Sequence, residues 1–179
     1  MAERRDALAL FEQVTRLPRT YEAEVPPEYL DLNGHMNVMY YTHVGNLGLG
    51  KFFSGVGIYS SGTEDTYHQV RRGMFALKQI ISYLNELREG EKLAVHSGMV
   101  DYDSKRMHFF HYIVSLTYER VAAVDERLAM YVDLGTRRST SFEPHILRQL
   151  EEMRLFYAAT GWQPELSGAI KLKERPALD

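Results

Sequence analysis

The sequence predicts an α+β fold in which a curved antiparallel sheet of about five strands wraps around one long buried helix, with extra helices at both ends. Three observations carry that expectation. The segment from about Asn37 to Phe53 is apolar nearly all round, as a helix enclosed by other structure must be. From Phe75 onward, long runs alternate with the period of a strand. No internal repeat and no linker interrupts the chain, so one sheet has to cover that helix. With 179 residues, 45% of them hydrophobic, the chain fits a single domain. Its core is expected over about 20–140.

The elements follow in order. Residues 4–14 read as a short helix, with Leu8, Phe11 and Val14 at spacings of three. Thr20 to Val25 alternates and reads as a first strand, stopped by Pro26-Pro27. A polar loop, Asp31 to Asn37, comes next. Asn33-Gly34 is a strong turn dipeptide within it, and Asn37 is a good N-cap for the long helix. Gly45, Gly48 and Gly50 each cost that helix about 1 kcal/mol in propensity. Either the sheet approaches the helix backbone closely there, or the helix ends early in a looser turn. Residues 54–68 are rich in Gly, Ser and Thr and read as an exposed connection.

Phe75 to Leu84, Lys92 to Asp103, Met107 to Glu119 and Arg127 to Arg138 are the strand candidates. Glu89-Gly90, Asp103-Ser104-Lys105 and Ala123 to Glu126 supply turns, which predicts antiparallel hairpins. Pro144 sits where a first helical position should be, and Ile146, Leu147, Leu150, Met153, Phe156 and Tyr157 build an amphipathic helix over about 144–160 that Gly161 closes. The tail from Trp162 is mostly polar and is expected to lie partly ordered against the body.

Composition narrows the classes. Net charge is -3, from 21 basic and 24 acidic residues that are interspersed, so there is no basic stripe for nucleic acid. No apolar run approaches the ~18 residues of a membrane span. The absence of cysteine removes disulfides, thiol nucleophiles and thiolate metal sites. Ala7 to Phe11 is too short for a signal segment and is flanked by Asp6 and Glu12, so a cytoplasmic location is expected. His43, His96, His108 and His111 read as packing or interface residues. On a strand, His108 and His111 face opposite ways, so they cannot share an ion, and no metal is expected.

The chemistry concentrates in Asp31-Leu32-Asn33-Gly34-His35-Met36-Asn37, where a carboxylate, carboxamides and an imidazole precede the helix. Bare N–H groups at a helix start attract an oxygen that becomes negative during reaction. That is the skeleton of an acyl-transfer site. The same residues also serve turns and caps alone, and His35 could simply brace the loop through a backbone carbonyl.

The D-x-N-G-H-M-N run followed by an aromatic-rich helix resembles the hotdog-fold acyl-CoA thioesterases of the 4-hydroxybenzoyl-CoA thioesterase-like superfamily. Tyr83 to Glu91 and Val132 to Ser139 are also similar to segments of that group, and the likeness runs roughly from Tyr21 to Ser139. It implies hydrolysis of an acyl-CoA thioester with Asp31 as the catalytic carboxylate, nucleophile or general base. The backbone N–H of Val38 would hold the oxyanion, and Asn33, His35 and Asn37 would orient the carboxylate, a water or the carbonyl. It also implies a homodimer or dimer of dimers, with the site at the junction. Coenzyme A enters as part of the substrate, and no other cofactor is expected. Arg137 and Arg138 lie in a family-like segment and are the first candidates for its phosphates, ahead of Arg71-Arg72 and Lys105-Arg106. The alternatives are a hotdog enoyl-CoA hydratase or dehydratase, which uses a similar loop, and a non-catalytic acyl-CoA-binding hotdog module, which has no need of Asp31.

Overall fold

A computed structural model of the chain describes residues 2–58 and 71–177. Most of the connection expected over 54–68 therefore lies outside the described residues. The elements are α1 (Ala2–Thr15), β1 (Arg19–Glu24), a short 3-10 turn (Pro27–Tyr29), α2 (Val38–Ser54), β2 (Arg72–Tyr83), β3 (Lys92–Tyr102), β4 (Arg106–Ser115), β5 (Arg120–Asp133), β6 (Arg138–Ser139) and α3 (Pro144–Ala159). Among the described residues the sheet has six strands, in the order β1-β3-β4-β5-β2 with two-residue β6 paired to β5. The chain packs as two compact units. One comprises Met1–Leu49, Ile80–Gly98 and Phe110–Asp125; the other comprises Gly50–Gln79, Met99–Phe109 and Glu126–Asp179.

Two sequence expectations are corrected. Ala123 to Glu126 is not a turn. β4 stops at Ser115, and the reversal falls on residues 116–119, with Glu119 at φ +50. The acids that suggested a turn are inside: Asp125 is 0% exposed and Glu126 3%. In the second unit, Glu126 accepts a 2.8 Å bond at Oε1 from His108 Nε2, and its Oε2 accepts the Ser167 N–H. A buried carboxylate with such partners is satisfied without water.

The second correction concerns Glu89-Gly90, which does not close a hairpin, because β2 and β3 are not neighbours. Residues 84–91 instead cross the end of the sheet within the first unit. Leu84 and Asn85 N–H groups donate to Ala122 O on β5, at 2.8 and 3.1 Å, while Gly90 N–H reaches Val25 O, just past β1, at 3.0 Å. Turn residues mark a change of direction, which a crossing needs as much as a hairpin does.

α2 starts and stops where the sequence places it, but it buries one face only. Tyr41 and Val44 join Met36, Leu87, Leu93, Val95 and Ile113 in the core of the first unit. Phe52 and Phe53 pack on Phe109 in the second, with ring centroids 5.1 and 5.5 Å away. Val38, Met39 and Leu47 are 57%, 62% and 43% exposed. An apolar pattern says which side chains avoid water, and it does not say whether the same chain covers them.

Close approach accounts for Gly48. A Cβ there would lie 2.7 Å from Thr20 Oγ1 and 3.3 Å from Val95 Cγ1. Thr20 cannot easily give way, because its hydroxyl bonds Ser97 Oγ at 2.8 Å, which in turn bonds His111 Nδ1 at 2.7 Å. Gly48→Ala should gain helix propensity yet lower stability by about 1–2 kcal/mol net, because the crowded hydroxyl chain must move. A thermal melt by circular dichroism checks this, and an unchanged or raised Tm contradicts it.

Candidate active site

The loop between the 3-10 turn and α2 closes on itself within the first unit. Leu30 and Met36 form an antiparallel bridge, Asp31 N–H donates to His35 O at 3.0 Å, and Gly34 N–H donates to Asp31 O at 3.1 Å. Gly34 stands at φ +78, a conformation in which a Cβ is strained, so the Asn-Gly turn forms as expected. Two further bonds fasten the loop: Met36 N–H to Leu87 O at 2.7 Å, and Asn37 N–H to Tyr29 O at 2.8 Å.

Asn37 caps the helix. Its Oδ1 accepts the Met39 N–H at 3.1 Å and its carbonyl accepts the Tyr40 N–H at 2.9 Å. Val38 is the first helical residue, and among the described residues its N–H has no acceptor. That leaves one preorganised donor at the positive end of a 17-residue helix.

Asp31 is held by its own turn. Oδ1 accepts the Asn33 backbone N–H at 2.8 Å, and Oδ2 accepts the Asn33 carboxamide at 3.3 Å. His35 Nδ1 lies 3.7 Å from Oδ2, within ion-pair range but too long for a hydrogen bond. Partial burial pushes the Asp31 carboxyl up, but the Asn33 bonds and the neighbouring His35 outweigh it, so its pKa falls below the ordinary aspartate value. Asp31 is therefore an anion at neutral pH.

A cleft of about 220 Å³ opens beside this loop. His35, Met36 and Val38 line it together with Tyr41 and Tyr83 to Glu86. Of the residues expected in the site, His35 and Val38 thus line the cleft. Asp31, Asn33 and Asn37 do not, and act in the loop and cap that hold those two.

The sequence reading missed Tyr41, Tyr83, Asn85 and Glu86 as site residues. Tyr41 hydroxyl accepts the Leu87 N–H at 3.2 Å and donates to Asn85 O at 3.4 Å. Burial, with negative charge at Glu91 and Glu86 added, raises its pKa to about 12, so the phenol stays neutral. The signal was present in part: Tyr83 to Glu91 stood out as a family-like segment, but nothing local joins it to Tyr41.

The basic pairs lie in the second unit. Arg137 has φ +59, donates its N–H to Asp133 O at 2.8 Å, and sets its guanidinium 4.9 Å from the Phe75 ring centroid. Arg138 is exposed on β6. Arg72 is committed to Asp133 and Glu143, and Arg106 makes a two-bond fork on Asp103 at 2.8 and 2.6 Å.

In a titration followed by carboxyl carbon-13 shifts, Asp31 should protonate below 3.8, and Asn33→Ala should raise its pKa toward that value. The sign for stability follows. The folded pKa is the lower one, so the contribution of this carboxylate is complete above the unfolded value and is lost as pH falls through the folded one. An Asp31 that titrates at or above 3.8 would contradict the hydrogen bonding described.

Residues 25–150 match the family model of the thioesterase-like superfamily. A betainyl-CoA thioesterase of Pseudomonas aeruginosa is 28% identical over 134 residues, covering 75% of this chain and 82% of that protein. An L-carnitine dehydrogenase/betainyl-CoA thioesterase of Agrobacterium fabrum is 28% identical over 163 residues, 89% of this chain but 32% of that longer protein. Among solved structures, a Staphylococcus aureus protein in complex with CoA superposes with a TM-score of 0.70 at 22% identity, covering 88% of this chain and 96% of that one. A 1,4-dihydroxy-2-naphthoyl-CoA thioesterase from Synechocystis gives a TM-score of 0.62 at 12% identity, covering 74% and 95%. At these identities the likeness establishes a shared fold, the α+β hotdog.

Proposed function

The chain belongs to the thioesterase-like superfamily, and on that premise we propose that it hydrolyses an acyl-CoA thioester to the free acid and coenzyme A. One observation carries the reading. A single self-bonded loop holds a carboxylate and an imidazole and leads directly into a helix N–H that has no acceptor among the described residues, and the imidazole and that helix residue line the same cleft.

The thioester carbonyl would enter with its oxygen toward the Val38 N–H, which strengthens its bond as negative charge builds on that oxygen. Attack comes from a water whose proton Asp31 or His35 accepts, or from Asp31 itself. In the second case loss of the thiolate leaves an acyl–aspartyl anhydride that a water then hydrolyses to the free acid and the aspartate. Collapse of the intermediate breaks the carbon–sulfur bond and releases the thiolate of coenzyme A. His35 lines the cleft while Asp31 stands 3.7 Å behind it, which favours a proton path through the imidazole with the carboxylate orienting it. Asn33 and Asn37 then act as positioning residues, one on the carboxylate and one on the helix start. Arg137 and Arg138 remain our candidates for the phosphates of coenzyme A.

A cleft of about 220 Å³ suits a compact acyl group, and the relatives' names make betainyl-CoA the first substrate to try. Thiol release from a panel of short, long and aromatic acyl-CoAs tests the reading. Asp31→Asn keeps shape and removes charge, and should lower kcat by at least about 10²-fold with an unchanged melt. His35→Gln should do the same if the proton passes through the imidazole, and should cost much less if Asp31 attacks directly. Full activity in a well-folded Asp31→Asn protein refutes the assignment. Hydration of an enoyl-CoA without thiol release makes the chain a hydratase instead.

Homodimerisation belongs to the same proposal. Val38, Met39 and Leu47 are apolar residues that α2 leaves exposed, and Val38 also lines the cleft. Light scattering at micromolar concentration should give at least twice the mass of the 20.7 kDa chain. A monodisperse monomer that cleaves thioesters would end this part of the proposal alone.

A further inference from the structure

We infer that Tyr83, Tyr41 and Glu86 form a receptor for a compact quaternary-ammonium head on the acyl group, so that the cleft selects a cationic acyl chain over a neutral one of the same shape. The inference rests on the thioesterase reading, because that reading fixes where the carbonyl sits.

The geometry points there in four steps. The two tyrosine rings meet at 79° with centroids 5.2 Å apart, and Tyr83, 48% exposed against 3% for Tyr41, presents the open ring of this pair along the cleft. Ring faces carry the negative part of the aromatic quadrupole and attract a cation. No lysine or arginine is among the residues that line the cleft, whereas Glu86 is. Arg88 spends both of its bonds to Glu86 on Oε1, at 2.5 and 2.9 Å, which leaves Oε2 of that carboxylate without a protein donor among the described residues.

The field at this pair agrees. Beyond burial, the charges acting on the Tyr41 hydroxyl are those of Glu91, Tyr83 and Glu86, and all of them oppose a further negative charge. Glu86 itself is kept ionised, first by its hydrogen bond from Arg88 and then by that cation's charge.

Size closes the argument. In a trimethylammonioacetyl thioester, the nitrogen is two bonds from the carbonyl carbon. A carbonyl bound at the Val38 N–H therefore keeps its ammonium head within two bonds' reach of the same cleft, which Tyr41, Tyr83 and Glu86 also line. A tert-butyl head has the same outline and no charge. Simple burial would favour the neutral head, because a cation gives up hydration on entry. A preference for the cation therefore reports the aromatic faces and the carboxylate, and not general hydrophobicity.

Binding is the test, because it needs no turnover. The two probes are thioethers of coenzyme A that cannot be hydrolysed, S-(2-trimethylammonioethyl)-CoA and S-(3,3-dimethylbutyl)-CoA, titrated calorimetrically into the full chain. The cationic thioether should bind roughly tenfold tighter. Tyr83 is 48% exposed, so its replacement leaves the core intact. Tyr83→Phe should keep most of the preference and Tyr83→Leu should remove it, read as the ratio of the two affinities because a changed side chain in the cleft alters binding of both heads. Glu86→Gln should reduce the preference without abolishing it. Equal or tighter binding of the neutral thioether overturns the inference, as does a preference that survives Tyr83→Leu. A cationic preference without thiol release from trimethylammonioacetyl-CoA leaves the head receptor standing and sinks the hydrolase reading. Thiol release with the neutral thioether preferred does the reverse, and binding of neither probe at millimolar concentration overturns the receptor.

Discussion

A backbone segment that crosses the end of a sheet carries peptide groups that no adjacent strand can pair, and each one left buried and unpaired costs about 1–3 kcal/mol. Residues 84–91 meet this demand with partners from three directions. β5 supplies Ala122 O, the core supplies the Tyr41 hydroxyl for Leu87 N–H, and the chain beyond β1 supplies Val25 O for Gly90 N–H. The Leu87 carbonyl is then answered by Met36 N–H from the loop that precedes α2. The start of α2, the loop before it and the crossing are thus fixed by the same few bonds. The cleft is the space those bonds leave between them.

This explains why the order of elements was legible and the cleft was not. Asn33-Gly34 and Asn37 announce a turn and a cap by local chemistry, and each is found where it was read. Strands and helices likewise show their period within a dozen residues. Tyr41 and Asn85 are brought together only by the finished fold, so neither residue's neighbours could mark the pair. The misplaced turn has the same origin. Asp125 and Glu126 look like surface acids until His108, from the preceding strand, is seen opposite Glu126. Local polarity proposes exposure; a distant partner decides it.

Glu91 makes a related point about the family-like Gly90-Glu91 pair. Gly90 takes φ +76, and the glutamate after it is 3% exposed. Its carboxylate accepts from Ser115 Oγ at 2.6 Å, from the Arg88 N–H at 3.0 Å and from Arg120 at 3.4 Å. A buried charge with fewer partners would be destabilising, but this one ties the end of the crossing to β4 and β5. The resemblance that singled out the pair was tracking a structural fastening, while the adjoining Tyr83 to Glu86 stretch borders the cleft.

The loop over residues 31–37 also bears on how such a chain can diversify. Its hydrogen bonds run through backbone groups and through Asp31 and Asn33, and none uses the side chain at position 32. Leu32 stands fully exposed at the tip. Mutational drift there leaves the carboxylate, the imidazole and the helix cap in place. The loop therefore separates a tip position whose side chain fastens nothing from neighbours whose bonds keep it closed, so a substitution at 32 is uncoupled from the loop's own hydrogen bonding.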